Sequence, residues 1–300
     1  MNFNIIGKKN IFFIFSGVII TLSLVALFIF GLKPGIDFAG GTQWQIKVEN
    51  SSINENTIKD FLSSKLNIKN FVVYPILESN SFLMNFESIS EADHQNYLTA
   101  FKDNFGNVEE LSFESVGPIV GQELARKAIW AVILAILGIC FYIIFAFRKT
   151  SYLVPSFKYG FVVLACLLHD VIVPIGFLVF LGHFKGVDFS ISFVVALLTI
   201  MGYSVHDTIV VFDRVRSNLL ASRGKVDFPK LVNESVNQVM ARSINTSLTV
   251  LFTLLALFFI GPLSLKYFSL VLTFGIIFGT YSSIFIAAPL LVLWQNKSKQ

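Results

Sequence analysis

Apolar residues along the chain gather into six long runs, at residues 11–31, 128–147, 157–181, 189–212, 244–260 and 268–294. A helix needs about 20 mainly apolar residues to cross a bilayer, so each run predicts one transmembrane span. After the first run, Gly31-Leu32-Lys33-Pro34 lacks the small-residue pattern of a processed signal peptide, and the run is expected to remain as an anchor.

Residues 32–125 follow a different pattern. Trp44–Val48 reads as a strand, and Ser52-Ile53-Asn54-Glu55 has capping-box spacing for a helix reaching about Leu66. Phe71–Leu77 and Phe82–Glu87 are strand-like runs around a turn at Glu78-Ser79-Asn80-Ser81. A second helix follows Ser90 and stops at Gly106, and Val108–Val116 supplies a last strand. The order β-α-β-β-α-β is that of a split βαβ, or ferredoxin-like, unit. The predicted fold class is an α-helical polytopic membrane protein of six transmembrane helices, with a small α+β ferredoxin-like domain between helices 1 and 2. Its expected divisions are residues 1–31, 32–125 and 126–300, the last including a basic loop at 214–243.

Composition and charge sharpen this picture. With 54% hydrophobic and only 14% charged residues, a soluble globular chain is hard to defend. The net charge of +4 conceals a partition: residues 32–125 hold 6 Lys and no Arg against 13 Asp and Glu, a net −7. The basic residues Lys8, Lys9, Arg148, Lys149, Arg214, Arg216, Arg223, Lys225, Lys230, Arg242, Lys297 and Lys299 all fall on one side if the spans alternate. Both termini are therefore expected in the cytoplasm and the acidic domain on the outer face. Most of the basic residues outside that domain sit in short loops, which argues against nucleic acid as a partner. Cys140 and Cys166 lie inside apolar runs and read as buried hydrophobes, not as a disulfide or a metal pair.

The candidate chemistry sits where polar residues interrupt apolar runs. Asp207 is the strongest case: a carboxylate within a span is costly, so it is expected to face protein or water and to have a task. At helical spacing Tyr203 and Ser204 share its side and can offer hydroxyls. Asp213 lies two turns further on beside Arg214 and Arg216, where an interfacial ion pair at the helix end is expected. Arg242 opens the fifth span, followed by Ser243, Asn245, Thr246 and Ser247. It is either a partner for an intramembrane acid or an anchor snorkelling to the headgroups. His169-Asp170 in the third span suggests a proton relay, but adjacent helix residues point about 100° apart, which favours packing or a hydrogen bond. His206 carries the same ambiguity. Gly275 and Gly279 form a GxxxG that lets another helix approach. In Gly35-Ile36-Asp37-Phe38-Ala39-Gly40-Gly41-Thr42 the glycines Gly35, Gly40 and Gly41, with Asp37, suit a tight junction between membrane and outer domain; no phosphate-loop lysine follows.

Together these stretches resemble the SecF family of bacterial protein-export membrane proteins, half of the SecD–SecF complex within the RND superfamily. The resemblance rests on residues 35–42, Val116-Gly117-Pro118 through Gly121-Gln122-Glu123-Leu124, Leu168-His169-Asp170-Val171, residues 202–216, and Arg242-Ser243-Ile244-Asn245-Thr246-Ser247. His206 departs from an expected Asn, and Phe212 from a smaller or polar residue. The resemblance implies an RND-type half in the bacterial inner membrane, with Asp207 as the carboxylate of a proton pathway and Arg242 as its arginine. It implies SecD, the SecYEG translocon, YajC, a translocating preprotein and membrane lipids as partners. It implies no enzyme activity, no metal, and no cofactor beyond a transported proton, with sodium as an alternative ion. The rivals are an RND-like exporter of lipids or small molecules, a non-catalytic scaffold, and an intramembrane aspartyl protease using Asp170 and Asp207; the last lacks a Gly-x-Gly-Asp pattern.

Overall fold

The computed structural model describes residues 3–49, 53–76, 80–148, 154–222 and 227–297. It divides into two compact units, one of them Pro34–Ile129 and the other formed by the helices on either side of it. The turn residues Glu78 and Ser79 lie outside the described residues.

The first unit is a four-stranded antiparallel sheet. After helix α1 (Lys9–Phe30) and a single turn α2 (Ile36–Ala39) come β1 (Gly41–Val48), α3 (Glu55–Ser64), β2 (Phe71–Ile76), β3 (Ser81–Phe86), α4 (Glu91–Phe105) and β4 (Val108–Val116). The strand order β2-β3-β1-β4 is the one a split βαβ demands. Alternation puts Trp44, Ile46 and Val48 on one face with Phe82, Met84 and Phe86, where Ile58, Leu62 and Phe101 from the two helices cover them. Asn54 caps α3: its side chain accepts from Thr57 N, and the helix starts at Glu55; Ser52 lies outside the described residues. Ser90 caps α4, which ends at Gly106 with φ +79°. The buried Trp44 donates from Nε1 to Glu110 Oε2 at 2.9 Å, and His94 Nε2 lies 2.6 Å from that same oxygen. Glu91 sits on the rim, its carboxyl held below the usual range by hydrogen bonds from Gln95 and then His94.

The glycine doublet has a steric reason. Gly40 has φ +77°, and a Cβ there would lie 2.7 Å from Pro118 Cα; Gly41 has φ +141°, and its Cβ would meet Phe86 O at 2.9 Å. Gly35 precedes the turn that holds Asp37.

Among the described residues six helices are long and apolar enough to cross a membrane, and the protein is a multi-pass membrane protein. Beside α1 these are α5 (Pro118–Ala146), α6 (Ser156–Lys185), α7 (Ile191–Ala221), α8 (Phe228–Ile260) and a final span. The final span joins α9 (Leu263–Ser282), a π-helical segment (Ser283–Ala287) and α10 (Ala288–Lys297). The wide π turn re-phases the helix, so that Ser282, Ser283, Ile284, Ile286 and Ala287 all become buried. The centre is formed by α6, α7 and the final span, whereas α1, α5 and α8 are mostly exposed. At Gly176 of α6 the missing Cβ admits Ser23 of α1. The end of α1 is tied down as well: Phe189 N donates to Lys33 O at 2.7 Å and Lys33 Nζ to Gly182 O at 3.2 Å. Between them burial raises the affinity of the Asp188 carboxyl for its proton, which the Lys33 charge partly offsets.

The expected basic loop at 214–243 is not a loop. Helix α7 runs on to Ala221 and α8 begins at Phe228, leaving a short connection. Charged residues mask an apolar seam there: Val215, Leu219, Phe228, Leu231, Val232, Val236 and Val239 are buried at helical spacing. Polar clasps reinforce it, since Gln238 Oε1 accepts from both Arg214 Nε (2.5 Å) and Asn218 Nδ2 (2.9 Å).

Candidate functional site

Asp207 lies in the middle of α7 and is 2% exposed. Its side of the helix meets α8 and α9, where the hydroxyls of Ser243, Ser247 and Thr280 surround the carboxylate. Ser247 Oγ and Thr280 Oγ1 are 2.5 Å apart and bind each other. Among the described residues Asp207 Oδ2 and Ser243 Oγ have no hydrogen-bond partner, and neither has the Tyr203 hydroxyl close by. A buried carboxylate oxygen without a donor is expensive, so this arrangement holds a place for a proton or for a donor that arrives from elsewhere.

Arg242 does not supply that donor here. It is exposed on α8 and forms no ion pair with Asp207. Successive helix residues differ by about 100°, so turning Ser243 and Ser247 toward Asp207 turns Arg242 away. Asn245, Thr246, Thr249 and Thr253 are exposed with it, so α8 carries a polar line along its outer face. Thr246 is thus displaced from the site in favour of Ser243 and Ser247. Their i, i+4 spacing, continued by buried Leu254, was the signal that distinguished the inner face.

His169 and Asp170 do meet, contrary to the expectation from their positions on the helix. His169 Nδ1 lies 2.8 Å from Asp170 Oδ1, with both side chains buried. Pro174, one turn on within α6, has no N–H for the Asp170 carbonyl, which loosens the helix at that point. Asp170 Oδ2 accepts from Ser204 Oγ of α7, and from Ser282 Oγ at 2.8 Å. Ser204 therefore serves Asp170 and not Asp207. Thr280 and Ser282, placed on successive faces just before the π segment, join the two carboxylate sites to one helix.

Among the described residues the remaining candidates form no hydrogen bond with either carboxylate, although His206 is close enough to Asp207 for its charge to act on it. Asp213 is half-exposed and pairs with Arg216 Nη2 at 3.0 Å, inside α7 and not at a helix end, because the helix continues to Ala221. His206 is exposed in a shallow apolar cleft between α5 and α7 beside Gly138, Tyr142 and Gly202. Gly275 of α9 sits against Ile200 of α7, and a Cβ at Gly279 would lie 3.1 Å from Ser204 Cβ. The GxxxG is thus the seam between α7 and α9 within this chain.

Residues 96–297 match the family described as Protein export membrane protein SecD/SecF, C-terminal, and residues 25–52 match the SecD/SecF GG Motif, which contains Gly40 and Gly41. A protein translocase subunit SecF from Thermobaculum terrenum is 44% identical over 98% of this chain and 94% of its own length. One from Sebaldella termitidis is 38% identical over 100% and 94%. The crystal structure of SecDF, a translocon-associated membrane protein from Thermus thermophilus, superimposes with a TM-score of 0.83 at 33% identity. That match covers 99% of this chain and 39% of the SecDF chain.

Proposed function

This chain belongs to the SecD/SecF family of protein-export membrane proteins and has a role in protein translocation; on that premise we propose that it couples proton entry to export through Asp207. The observation that carries this is a carboxylate 2% exposed within a membrane span, with one oxygen unpartnered beside three hydroxyls. A proton crossing inward releases about 2.3 kcal/mol per 100 mV, enough to bias packed helices between two arrangements. Protonated, Asp207 needs no counter-charge and rests among Ser243, Ser247 and Thr280. Ionised, it attracts Arg242, which stands one residue round the α8 surface from Ser243. A turn of α8 between these states is the mechanical step, and the sheet domain transmits it to the translocating preprotein.

The exposed polar line on α8 supports a membrane partner. An arginine and several hydroxyls facing lipid are costly, so Arg242, Asn245, Thr246, Thr249 and Thr253 are covered in the working complex. SecD is the partner we assign to that face, with the SecYEG translocon and YajC as neighbours. The membrane is the bacterial inner membrane, with both termini cytoplasmic by the distribution of Lys and Arg.

Vesicles containing the complete translocase separate this reading from a passive scaffold. With an imposed proton gradient, export is expected to fall to the level of vesicles lacking this chain when an uncoupler is added. Unchanged dependence on the chain after the gradient has collapsed would favour the scaffold. Restoration by a sodium gradient alone would replace the proton as the driving ion.

A further inference from the structure

Asp207 is not the only buried titratable centre. Asp170 is 0% exposed and receives three hydrogen-bond contacts, from His169 Nδ1, Ser204 Oγ and Ser282 Oγ. The Ser204 and Ser282 hydroxyls meet Oδ2, the Ser282 hydrogen being shared with Gly279 O at 2.9 Å, and the imidazole meets Oδ1. Placing the His169 hydrogen on Nδ1 fixes the other ring nitrogen: Nε2 carries a free lone pair. That atom is buried and, among the described residues, has no hydrogen-bond partner. The groups packed around the pair leave this assignment intact. From α6 there is only the Cys166 thiol, one turn before Asp170; from the final span there is Tyr281, whose ring lies 6.3 Å from that of His169 and whose hydroxyl donates to Phe12 O of α1. Helix α7 contributes Ser204 to the pair, with Asp207 one helical turn beyond it. Among the described residues no lysine or arginine forms an ion pair with Asp170.

We propose that His169 is a second proton-binding site of this protein, with Asp170 as the positioning residue that fixes its tautomer and attracts the proton. The Nε2 lone pair forms the new N–H bond as an O–H bond of a hydronium ion or a carboxylic acid breaks, leaving water or a carboxylate, and nothing else is made or broken. The product is an imidazolium–carboxylate pair of zero net charge, so the bound proton cancels the charge that burial penalises. Ser204 links this site to the first: it holds Asp170 and lies one helical turn before Asp207, and its carbonyl accepts from Thr208 at 3.1 Å. Loading His169 weakens the claim of Asp170 on the Ser204 and Ser282 hydroxyls, and with it the hold of α6 on α7 and α9. The inference deepens the proton-coupled function above and rests on it for its role in export, although the binding of the proton does not.

The test is nitrogen-15 imidazole spectroscopy of the full chain in lipid bilayers as the pH is lowered. The chain has four histidines. The His169 signals are identified as those lost in His169→Gln or, if that variant does not accumulate, by removing the exposed His183 and His206 and leaving His94 for comparison. At high pH His169 is expected as the neutral tautomer with hydrogen on Nδ1, gaining its second hydrogen on Nε2 as the pH falls. In Asp170→Asn the same conversion is expected to need at least a tenfold higher proton concentration. A His169 ring that keeps one protonation state across the pH range in which the chain stays folded, or one with hydrogen on Nε2 when neutral, overturns the proposal. Asp207→Asn distinguishes the two readings: if it exports normally while His169 titrates as described, the function assigned to Asp207 fails and the second site stands.

Discussion

Replacing Asp207 by Asn is expected to reduce gradient-driven export at least about tenfold, or about 1.4 kcal/mol in the driving step, while the protein accumulates and melts as before. Asn has the same shape, and its amide can hydrogen-bond the hydroxyls of Ser243, Ser247 and Thr280 that surround the site. The fold loses no packing, and a buried carboxyl oxygen that lacked a partner is replaced. Only the ability to take up and give back a proton is lost. Asp213→Asn serves as the control, since that carboxylate is half-exposed in an i, i+3 pair worth well under about 1 kcal/mol, and export should persist. Equal losses from the two variants would sink the assignment of the switch to Asp207.

The largest effect on stability is expected from Gly275→Val. A Cβ at Gly275 would overlap the Ile200 side chain, which is 1% exposed and packed with Ala196, Leu254, Leu272 and Ile276. Valine adds two further methyl groups with one preferred rotamer in a helix, so it cannot swing clear. Overpacking of this kind costs about 1–3 kcal/mol, and here it separates the two helices that carry the polar site. Thermal unfolding of the purified chain in detergent should show a clear drop in midpoint. Gly279→Ala should cost much less, because its methyl group would need only a small shift of Ser204. If Gly275→Val melted with the wild type, the α7–α9 seam would not be where the structure places it.

Much of this architecture was legible in the residues, and the same physical causes account for what was hidden. In the sheet domain β-rich runs are bounded by capping serine and positive-φ glycine, so α4 ends at Gly106 and β4 occupies Val108–Val116. Apolar runs locate membrane spans but not helix ends: α8 begins at Phe228, well before its apolar portion, because amphipathic extensions look like charged loops when only hydropathy is counted. Asp207 was visible because lipid penalises a carboxylate inside an apolar run too heavily for it to persist without a task. Its surroundings were not, since choosing between Arg242 and Ser243 is a question of helix phase. Asp170 was obscured differently. Its partners Ser204 and Ser282 come from two other helices, and its contact with His169 crosses neighbouring positions that an ideal helix sets apart.

Infrared difference spectroscopy of the membrane-embedded complex, under the conditions that support export, tests the role of Asp207 most directly. A carboxylic C=O band is expected to appear when a proton gradient is imposed, to shift when the solvent is exchanged for heavy water, and to be missing in Asp207→Asn. An unchanged band in that variant, or no carboxylic signal while export proceeds, would mean that Asp207 does not carry the proton.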